Sequence, residues 1–475
     1  MIQDELIYQI ETHFGHVPTL EQRQALQVFA AFMTDRDEQS VMILRGSAGT
    51  GKTTLASAIV RAMLAMKQKL VLMAPTGRAA KVFSNYSGTP AFTIHRRIYR
   101  QKTAGDLSTF SLGFNAAQDT LFIVDEASMI ANGESPLLDD LIRFVYNYKN
   151  CRLMLIGDRA QLPPVGEEES PALMAGVLQG YGMKVFECDL NEVLRQAEDS
   201  GILWNATRIR EEVQECRSIG VQTLVLPKIC FSGFEDIQVM PGDELIESLA
   251  SSFSRVGKDE TMVVTRSNKR ANIYNQGIRN RVLDCEEELC RGDRIMIVKN
   301  NYYWIKGEGI QSNEERGLSF IANGDIAVVQ RVRHTHELYG FRFAEVTMTF
   351  PDYDNYELTA ITMLDTLTTE APALTRDQQE QLYNKVLEDY QDIPYKADRL
   401  KKLKDDKYYN ALQIKFAYAA TCHKAQGGQW AHIYLDQGYM TDDMLTSDYF
   451  HWLYTALTRA TEKVFLVNWP KTQVE

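Results

Sequence analysis

The segment Gly46-Ser47-Ala48-Gly49-Thr50-Gly51-Lys52-Thr53 constrains the fold of this chain more than any other stretch. It follows the apolar run Val41 to Leu44 and opens a helix-compatible stretch from Lys52 through Met66. Glycines in such a loop let backbone N–H groups converge on phosphate oxygens, and the helix that follows adds the positive end of its dipole. The arrangement works at the C-terminal end of a strand in a βα unit, so an α/β fold with a parallel sheet is expected. Lys52 is placed to reach the β- and γ-phosphates of ATP and Thr53 to ligate Mg²⁺. Gly46, Ser47, Ala48, Gly49, Thr50, Gly51 and Thr54 complete the nucleotide cradle.

A binding loop alone hydrolyses nothing. The apolar run Leu121-Phe122-Ile123-Val124 leads straight into Asp125-Glu126-Ala127-Ser128. An Asp at a strand end can hold Mg²⁺ through water, and the adjacent Glu can orient and deprotonate the attacking water. Lys52, Thr53, Asp125 and Glu126 therefore form one catalytic constellation.

The chain has 475 residues, 45% of them apolar and 24% charged, which suits several globular domains. Apolar runs at Val41 to Leu44, Leu70 to Ala74, Leu121 to Val124 and Arg152 to Ile156 alternate with helical patterns and predict a first parallel sheet. A second set, Val185 to Asp189, Met262 to Thr265, Ile414 to Tyr418, Ile433 to Asp436 and Val464 to Asn468, predicts another. Between them, Gly292 to Val298 and Asn323 to Val329 alternate at period two around Asn-Gly, a turn signal that predicts a small inserted β-barrel. After it, Thr375 to Asp392 reads as an acidic helix with Thr375 as its N-cap. The boundaries are residues 1–98 and 116–180 for the first domain, 99–115 for a small insertion, 181–290 and 409–475 for the second domain, and 291–408 for the barrel and acidic segment.

A net charge of −12 argues at first against a polyanion partner. Its distribution reverses this: between Gln39 and Gly105 there is no Asp or Glu, yet eleven Lys and Arg. Arg61, Lys67 and Lys69 read as solvated helix faces, whereas Arg78, Lys81, Arg96 and Arg97 read as a nucleic-acid surface with aromatics interleaved from Phe92 to Arg100. The seven cysteines are scattered without metal-ligand spacing and are expected to be reduced thiols. Met1 to Ile10 lacks a basic region before an apolar core, and no later stretch reaches membrane-spanning length, so a soluble, cytoplasmic protein is expected.

Further motifs follow in order: Ala74-Pro75-Thr76-Gly77-Arg78-Ala79-Ala80, Thr93-Ile94-His95, Gly157-Asp158-Arg159-Ala160-Gln161-Leu162-Pro163-Pro164-Val165, His423-Lys424-Ala425-Gln426-Gly427 and Tyr454-Thr455-Ala456-Leu457-Thr458-Arg459-Ala460. With the phosphate loop and Asp125-Glu126-Ala127-Ser128, this series resembles the superfamily 1 DNA helicases, above all the RecD-like group of the 5′-to-3′ branch. The resemblance implies two tandem RecA-like parallel-sheet P-loop domains, a small insertion in the first and an SH3-like β-barrel in the second.

It also implies residue roles. Gln22 matches the adenine-recognising amide and Gln161 the γ-phosphate sensor; Arg195 and Arg459 match the arginines that reach the γ-phosphate from the second domain. Gly427 falls in the nucleotide set, whereas Gly428-Gln429-Trp430 stands where several relatives carry an acidic residue, leaving a ribose contact open. Pro75, Thr76, Arg78, Thr93, His95 and Arg96 in the first domain, and Thr265, Asn268, Thr421 and His423 in the second, match positions along single-stranded DNA. Phe110 or Phe114 in the insertion could separate strands, while Tyr302, Tyr303 and Trp304 could stack on bases or pack in the barrel. The implied activity is an ATP-dependent 5′-to-3′ helicase acting on single strands and on junctions with a 5′ single-stranded tail. An RNA-directed motor and an ATP-switched strand-binding module are the alternatives, and no nuclease centre is expected.

Overall fold

The computed structural model describes residues 2–101, 110–133, 136–194, 199–219, 227–305, 320–441 and 444–475. In the first domain, β1 (Ser40–Gly46), β2 (Lys69–Ala74) and β3 (Ala91–Thr93) precede a hairpin of β4 (Tyr99–Gln101) and β5 (Phe110–Leu112). Then come β6 (Thr120–Val124), β7 (Arg152–Gly157) and β8 (Lys184–Leu190). All but the hairpin form one parallel sheet in the order β3-β2-β6-β7-β1-β8. Alternation along β1 sorts its side chains to two cores: Met42 and Leu44 pack with Phe29 and Ile59, while Val41 and Ile43 pack with Leu138 and Val145. Burial on both faces explains why the strands read as continuous apolar runs.

One strand departs from expectation. Val185 to Asp189, read as the start of the second domain, lies in β8 and pairs with β1, Val41 opposite Val185 and Arg45 opposite Asp189. A strand's own residues carry no label for the sheet it joins; here the Arg45 guanidinium, bonded to Glu187 and Asp189, ties the two strands.

The second sheet contains β9 (Ile237–Met240) and β10 (Thr261–Thr265), and the chain then enters a closed barrel. The barrel comprises β11 (Arg294–Ile297), β12 (Ile326–Leu338), β13 (Phe341–Phe350), β14 (Tyr356–Met363) and β15 (Leu412–Phe416). The chain returns through β16 (Ala419–Thr421), β17 (Trp430–Asp436) and β18 (Ala460–Val467), giving the parallel order β16-β10-β17-β18-β9. Here the second correction arises: Ile414 was expected in the second sheet, but β15 closes the barrel. It runs antiparallel to β11, with Ile297 opposite Ile414, and parallel to β14.

The acidic segment forms a helix, Arg376–Glu388, opened by a Thr375–Gln378 capping box. With the helix Lys396–Lys404 it covers one end of the barrel, where Leu382, Val386 and Leu403 pack on Phe341, Phe343 and Ile361. Its acidic residues form the outer side of an apolar cap. Trp304 donates from Nε1 to the Asn410 carbonyl and packs on the same cluster, while Tyr302 stacks on Phe320. Cys285 and Cys290 are joined by a disulfide, against the expectation of reduced thiols throughout. Among the described residues, no helix is long and apolar enough to cross a membrane.

Candidate active site and strand track

β1 is buried along its whole length and delivers Gly46 into the phosphate loop. Gly49 and Gly51 have φ of +78° and +80°, a backbone conformation that glycine adopts without the penalty of a Cβ. Gly51 also admits a neighbour: a Cβ there would stand 2.5 Å from Gln22 Nε2. Lys52 opens the helix Lys52–Ala65, and its ammonium donates to the carbonyls of Gly46 and Ser47 while standing 3.8 Å from Asp158 Oδ2. Gln22 is buried, and both ends of its amide are engaged. Oε1 accepts from Thr19 N–H in a helix capping box, and Nε2 donates to the Thr50 carbonyl at 3.2 Å. A cavity of about 220 Å³ lies against this helix, lined by His13, Phe14, Thr53, Thr54, Arg61 and Tyr86 among others.

β7 lies between β1 and β6, so Asp158 at its end stands between the phosphate loop and the Asp125-Glu126 pair. Asp125 accepts hydrogen bonds from the Tyr86 hydroxyl and from Glu126 N–H. Glu126 is held in the left-handed region, φ 53° and ψ 39°. For a non-glycine residue this costs on the order of 1 to 3 kcal/mol, strain of a kind that clusters at active sites. Burial pushes both carboxyls above their usual range, opposed at Asp125 by the Tyr86 bond and at Glu126 by the Arg459 charge. Arg459 Nη1 lies 3.8 Å from Glu126 Oε1. With the Gln161 amide oriented so that each end meets a complementary partner, its nitrogen donates to Glu126 Oε2 at 3.2 Å and its oxygen accepts from Arg459 Nη2 at 3.3 Å. The structure thus brings together Lys52, Asp125, Glu126, Gln161 and Arg459. Arg195 lies outside the described residues.

The second domain grips the end of β7 through several further bonds. The Tyr454 hydroxyl donates to Asp158 Oδ2 at 2.6 Å and accepts from the phosphate-loop Ala48 N–H at 2.7 Å. Leu162 N–H donates to Thr455 Oγ1 at 2.7 Å, Gln426 Nε2 donates to the Leu162 carbonyl at 2.7 Å, and His451 Nδ1 is 2.9 Å from the Ala160 carbonyl.

Each sheet presents two adjacent strand ends on its flank. In the first domain Ala74 at the end of β2 pairs with Thr93 at the end of β3, placing Pro75, Thr76, Thr93 and His95 side by side. In the second, Thr265 of β10 pairs with Thr421 of β16, beside Asn268 and His423. The hydroxyls of Thr76 and Thr93 cap the helices that follow, accepting from Ala79 N–H and Arg96 N–H. Arg78 lies over Trp430 and donates to the Gln429 carbonyl, and Arg96 lies over Tyr353 of the barrel. Gly427 has Ala79 and Thr76 as its nearest neighbours, so it borders the strand ends of the first sheet. The barrel also reaches them: a Cβ on Gly77 would stand 2.6 Å from Asp325 Oδ1. In the insertion, Phe114 is 71% exposed and meets Tyr148 edge-on, while the Phe110 side chain lies outside the described set.

Sequence reasoning left Tyr86, Asp158 and Tyr454 without roles. Asp158 carries the same signal as Asp125, an acid directly after a buried strand, and Tyr454 lies within a motif already recognised. Tyr86 has no local signal, because only the folded helix Gly77–Ser87 aims it at Asp125.

Residues 19–220 match the family model of an AAA domain, and residues 416–467 that of a UvrD-like helicase C-terminal domain. The ATP-dependent DNA helicase dda of Enterobacteria phage T4 is 24% identical over 292 residues, spanning 58% of this chain and 60% of that protein. The ATP-dependent RecD2 DNA helicase of Deinococcus radiodurans is 33% identical over 125 residues, 26% of this chain and 16% of its own length. The match thus spans less than two thirds of either helicase. Among solved structures, a Pif1 helicase from Bacteroides in complex with ADP-AlF3 and ssDNA aligns over 97% of this chain and 95% of that one, at 15% identity and a TM-score of 0.48. The AAA-domain match covers the strands of the first parallel sheet and the UvrD-like helicase C-terminal match covers β16, β17 and β18 of the second, so the chain is similar to helicases on both sides of the cleft.

Proposed function

We propose that this chain hydrolyses Mg-ATP between its two parallel-sheet domains and so moves 5′ to 3′ along single-stranded DNA, opening junctions that carry a 5′ single-stranded tail. The observation that carries the reading is the meeting of Glu126 with Arg459 from the other domain, bridged by Gln161. The two halves of the hydrolytic apparatus belong to separate bodies, so turnover requires the cleft to be closed.

The residues fit the nucleotide. The left-handed glycines and the N-terminus of the helix Lys52–Ala65 form an anion cradle, and the cavity beside Thr53 and Thr54 has room for a base. ATP, when bound, supplies the γ-phosphoryl group, and Mg²⁺, when bound, supplies charge neutralisation. Thr53 and Asp125 would hold the ion. Glu126, its carboxyl pushed up by burial, accepts the proton of the attacking water. Gln161 orients Glu126. Arg459 faces the charge that develops on the transferred group, and the motif around Arg195 assigns that residue the same role. Gln22 braces the phosphate loop through Thr50, alongside its role toward the adenine.

The flanking strand ends form the DNA track: Pro75, Thr76, Arg78, Thr93, His95 and Arg96 on one domain, Thr265, Asn268, Thr421 and His423 on the other. Hydroxyl, amide and imidazole groups suit backbone contacts without sequence preference. The phage T4 relative's name, an ATP-dependent DNA helicase, supports DNA as the substrate. The test is ATP-dependent unwinding of matched duplexes carrying a 5′ or a 3′ single-stranded tail. Opening of the 5′-tailed substrate is expected, preference for the 3′ tail overturns the polarity, and preferential ATPase stimulation by RNA overturns the choice of DNA.

A further inference from the structure

Among the described residues, the ammonium groups of Lys415 and Lys424 lack a counter-charge. Lys415, on β15, is 5% exposed, and among the described residues its ammonium has the Thr369 carbonyl as its hydrogen-bond acceptor. The Lys424 ammonium, in the short helix after Thr421, is shut off from solvent and has no acceptor among the described residues. The arginines buried to 5% exposure or less each have a carboxylate: Arg279 has Asp293 at 3.0 Å, Arg459 has Glu126 at 3.8 Å, Arg294 has Asp259 at 2.8 Å and Arg45 has Asp189 at 2.6 Å, whereas the less deeply buried Arg152 and Arg210 rest on backbone carbonyls. Among the described residues neither lysine forms an ion pair; the nearby Glu370, one residue after Thr369, pairs at the surface with Lys269 at 3.6 Å. Burial pulls both ammonium groups down to about 8, and Lys424 adds repulsion at Lys415. Burying two cations together without an anion is costly, so a missing counter-charge is the economical explanation.

Their position indicates the source of that charge. Thr369 also accepts from Asn272 Nδ2 at 2.9 Å, one turn into the helix that begins at Asn268. Lys424 directly follows His423, and β15 leads through two residues to β16, which ends at Thr421 beside Thr265. The pair therefore lies where the second domain's part of the strand track meets the barrel. We infer that Lys415 and Lys424 form a binding site for one backbone phosphate of the DNA strand, seated between the second domain and the barrel. Two ammonium groups act as point charges without the fork that reads a base edge, so the site grips without sequence preference. The inference rests on the strand-track reading above.

The test uses the full chain and an oligothymidylate, with binding followed by fluorescence anisotropy between about 50 and 300 mM salt. Loss of one phosphate contact on a single strand should lower the slope of log affinity against log salt by about 0.7. Lys415→Met with Lys424→Met is expected to give that change, with affinity falling about tenfold at low salt. Lys149→Met, an exposed position remote from the track, should leave the slope unchanged. If the double variant does not fold, Lys424→Gln keeps the test open, because it removes the charge while retaining a polar group. An unchanged slope in a folded variant overturns the site but leaves the strand-track reading standing. A change confined to competition by inorganic phosphate also overturns it, assigning the pair to free anions. If the unmodified chain shows no salt-dependent binding, the strand-track reading falls, and this inference with it.

Discussion

The hydroxyl of Tyr454 in the second domain donates a 2.6 Å hydrogen bond to Asp158 at the end of β7 in the first. The same oxygen accepts from Ala48 in the phosphate loop, and Lys52 lies 3.8 Å from the same carboxylate oxygen. Burial, reinforced by the Asp158 charge, pushes the phenol far above its usual range, so it remains a donor throughout the working range of pH. One side chain of the second domain thus touches both the glycine-rich loop before Lys52 and the strand end beside Asp125 and Glu126.

Tyr454→Phe should separate those contacts while keeping the ring in its packed position. A hydrogen bond to a charged group contributes about 1.5 to 3 kcal/mol, so the DNA-stimulated turnover number should fall about tenfold or more. Steady-state ATPase measurements with and without single-stranded DNA check this. An unchanged turnover number would show that the contact is only packing.

Glu126→Gln should bind ATP and stop turning it over. The amide cannot accept the water's proton, and loss of a general base typically costs about 100-fold to 10,000-fold in rate. Equilibrium nucleotide binding alongside ATPase assays separates the two effects. Turnover at the normal rate would remove Glu126 as the base.

Gln22→Ala should destabilise the first domain by about 1 kcal/mol, because the Thr19 N–H loses its acceptor in the capping box of the helix Leu20–Thr34 while the Thr19 hydroxyl keeps its own bond. It should also free the Thr50 carbonyl and weaken ATP affinity by about fivefold. Denaturant unfolding and nucleotide titration measure the two separately.

Asp325 gives a pH dependence with a defined sign. Burial pushes its carboxyl up to about 7 from an ordinary 3.8, against the opposing bonds from Ala322 N–H and Tyr353 and the charge of Arg96. Between those values the folded protein holds a proton that the unfolded chain has released. The contribution of this group to stability is therefore full below 3.8 and is lost as pH rises through about 7. Thermal unfolding of the unmodified chain and of Asp325→Asn, compared from about pH 5 to pH 8, should show the variant gaining relative stability toward the alkaline end. Parallel pH profiles would remove Asp325 as the titrating group.

Much of the first domain was legible. The phosphate loop, the acidic end of β6 and the helix at Thr375 each rest on contiguous residues whose chemistry dictates local geometry. The sheet membership of β8 and β15 was not, since an apolar strand reads the same whichever neighbour it pairs with. Arg45 opposite Asp189 and Ile297 opposite Ile414 are relationships between distant segments. For the same reason no local pattern explains the acidic helix as the cover of Phe341 and Phe343, and the five-residue separation of Cys285 and Cys290 matches no metal-ligand or redox spacing that would mark them as a pair.

By itself the sequence determined that a loop centred on Lys52 follows a buried strand and opens a helix, and that Asp125 and Glu126 end another strand. Both follow from backbone N–H geometry and from apolar runs within one short window. Only the tertiary structure decided that Gln161 bridges Glu126 to Arg459, that Tyr454 closes on Ala48, and that Lys415 and Lys424 lie close together with no carboxylate partner among the described residues. Such encounters depend on how two sheets and a barrel pack, and packing brings Ala48 to Tyr454 and Glu126 to Arg459 across hundreds of positions in the chain.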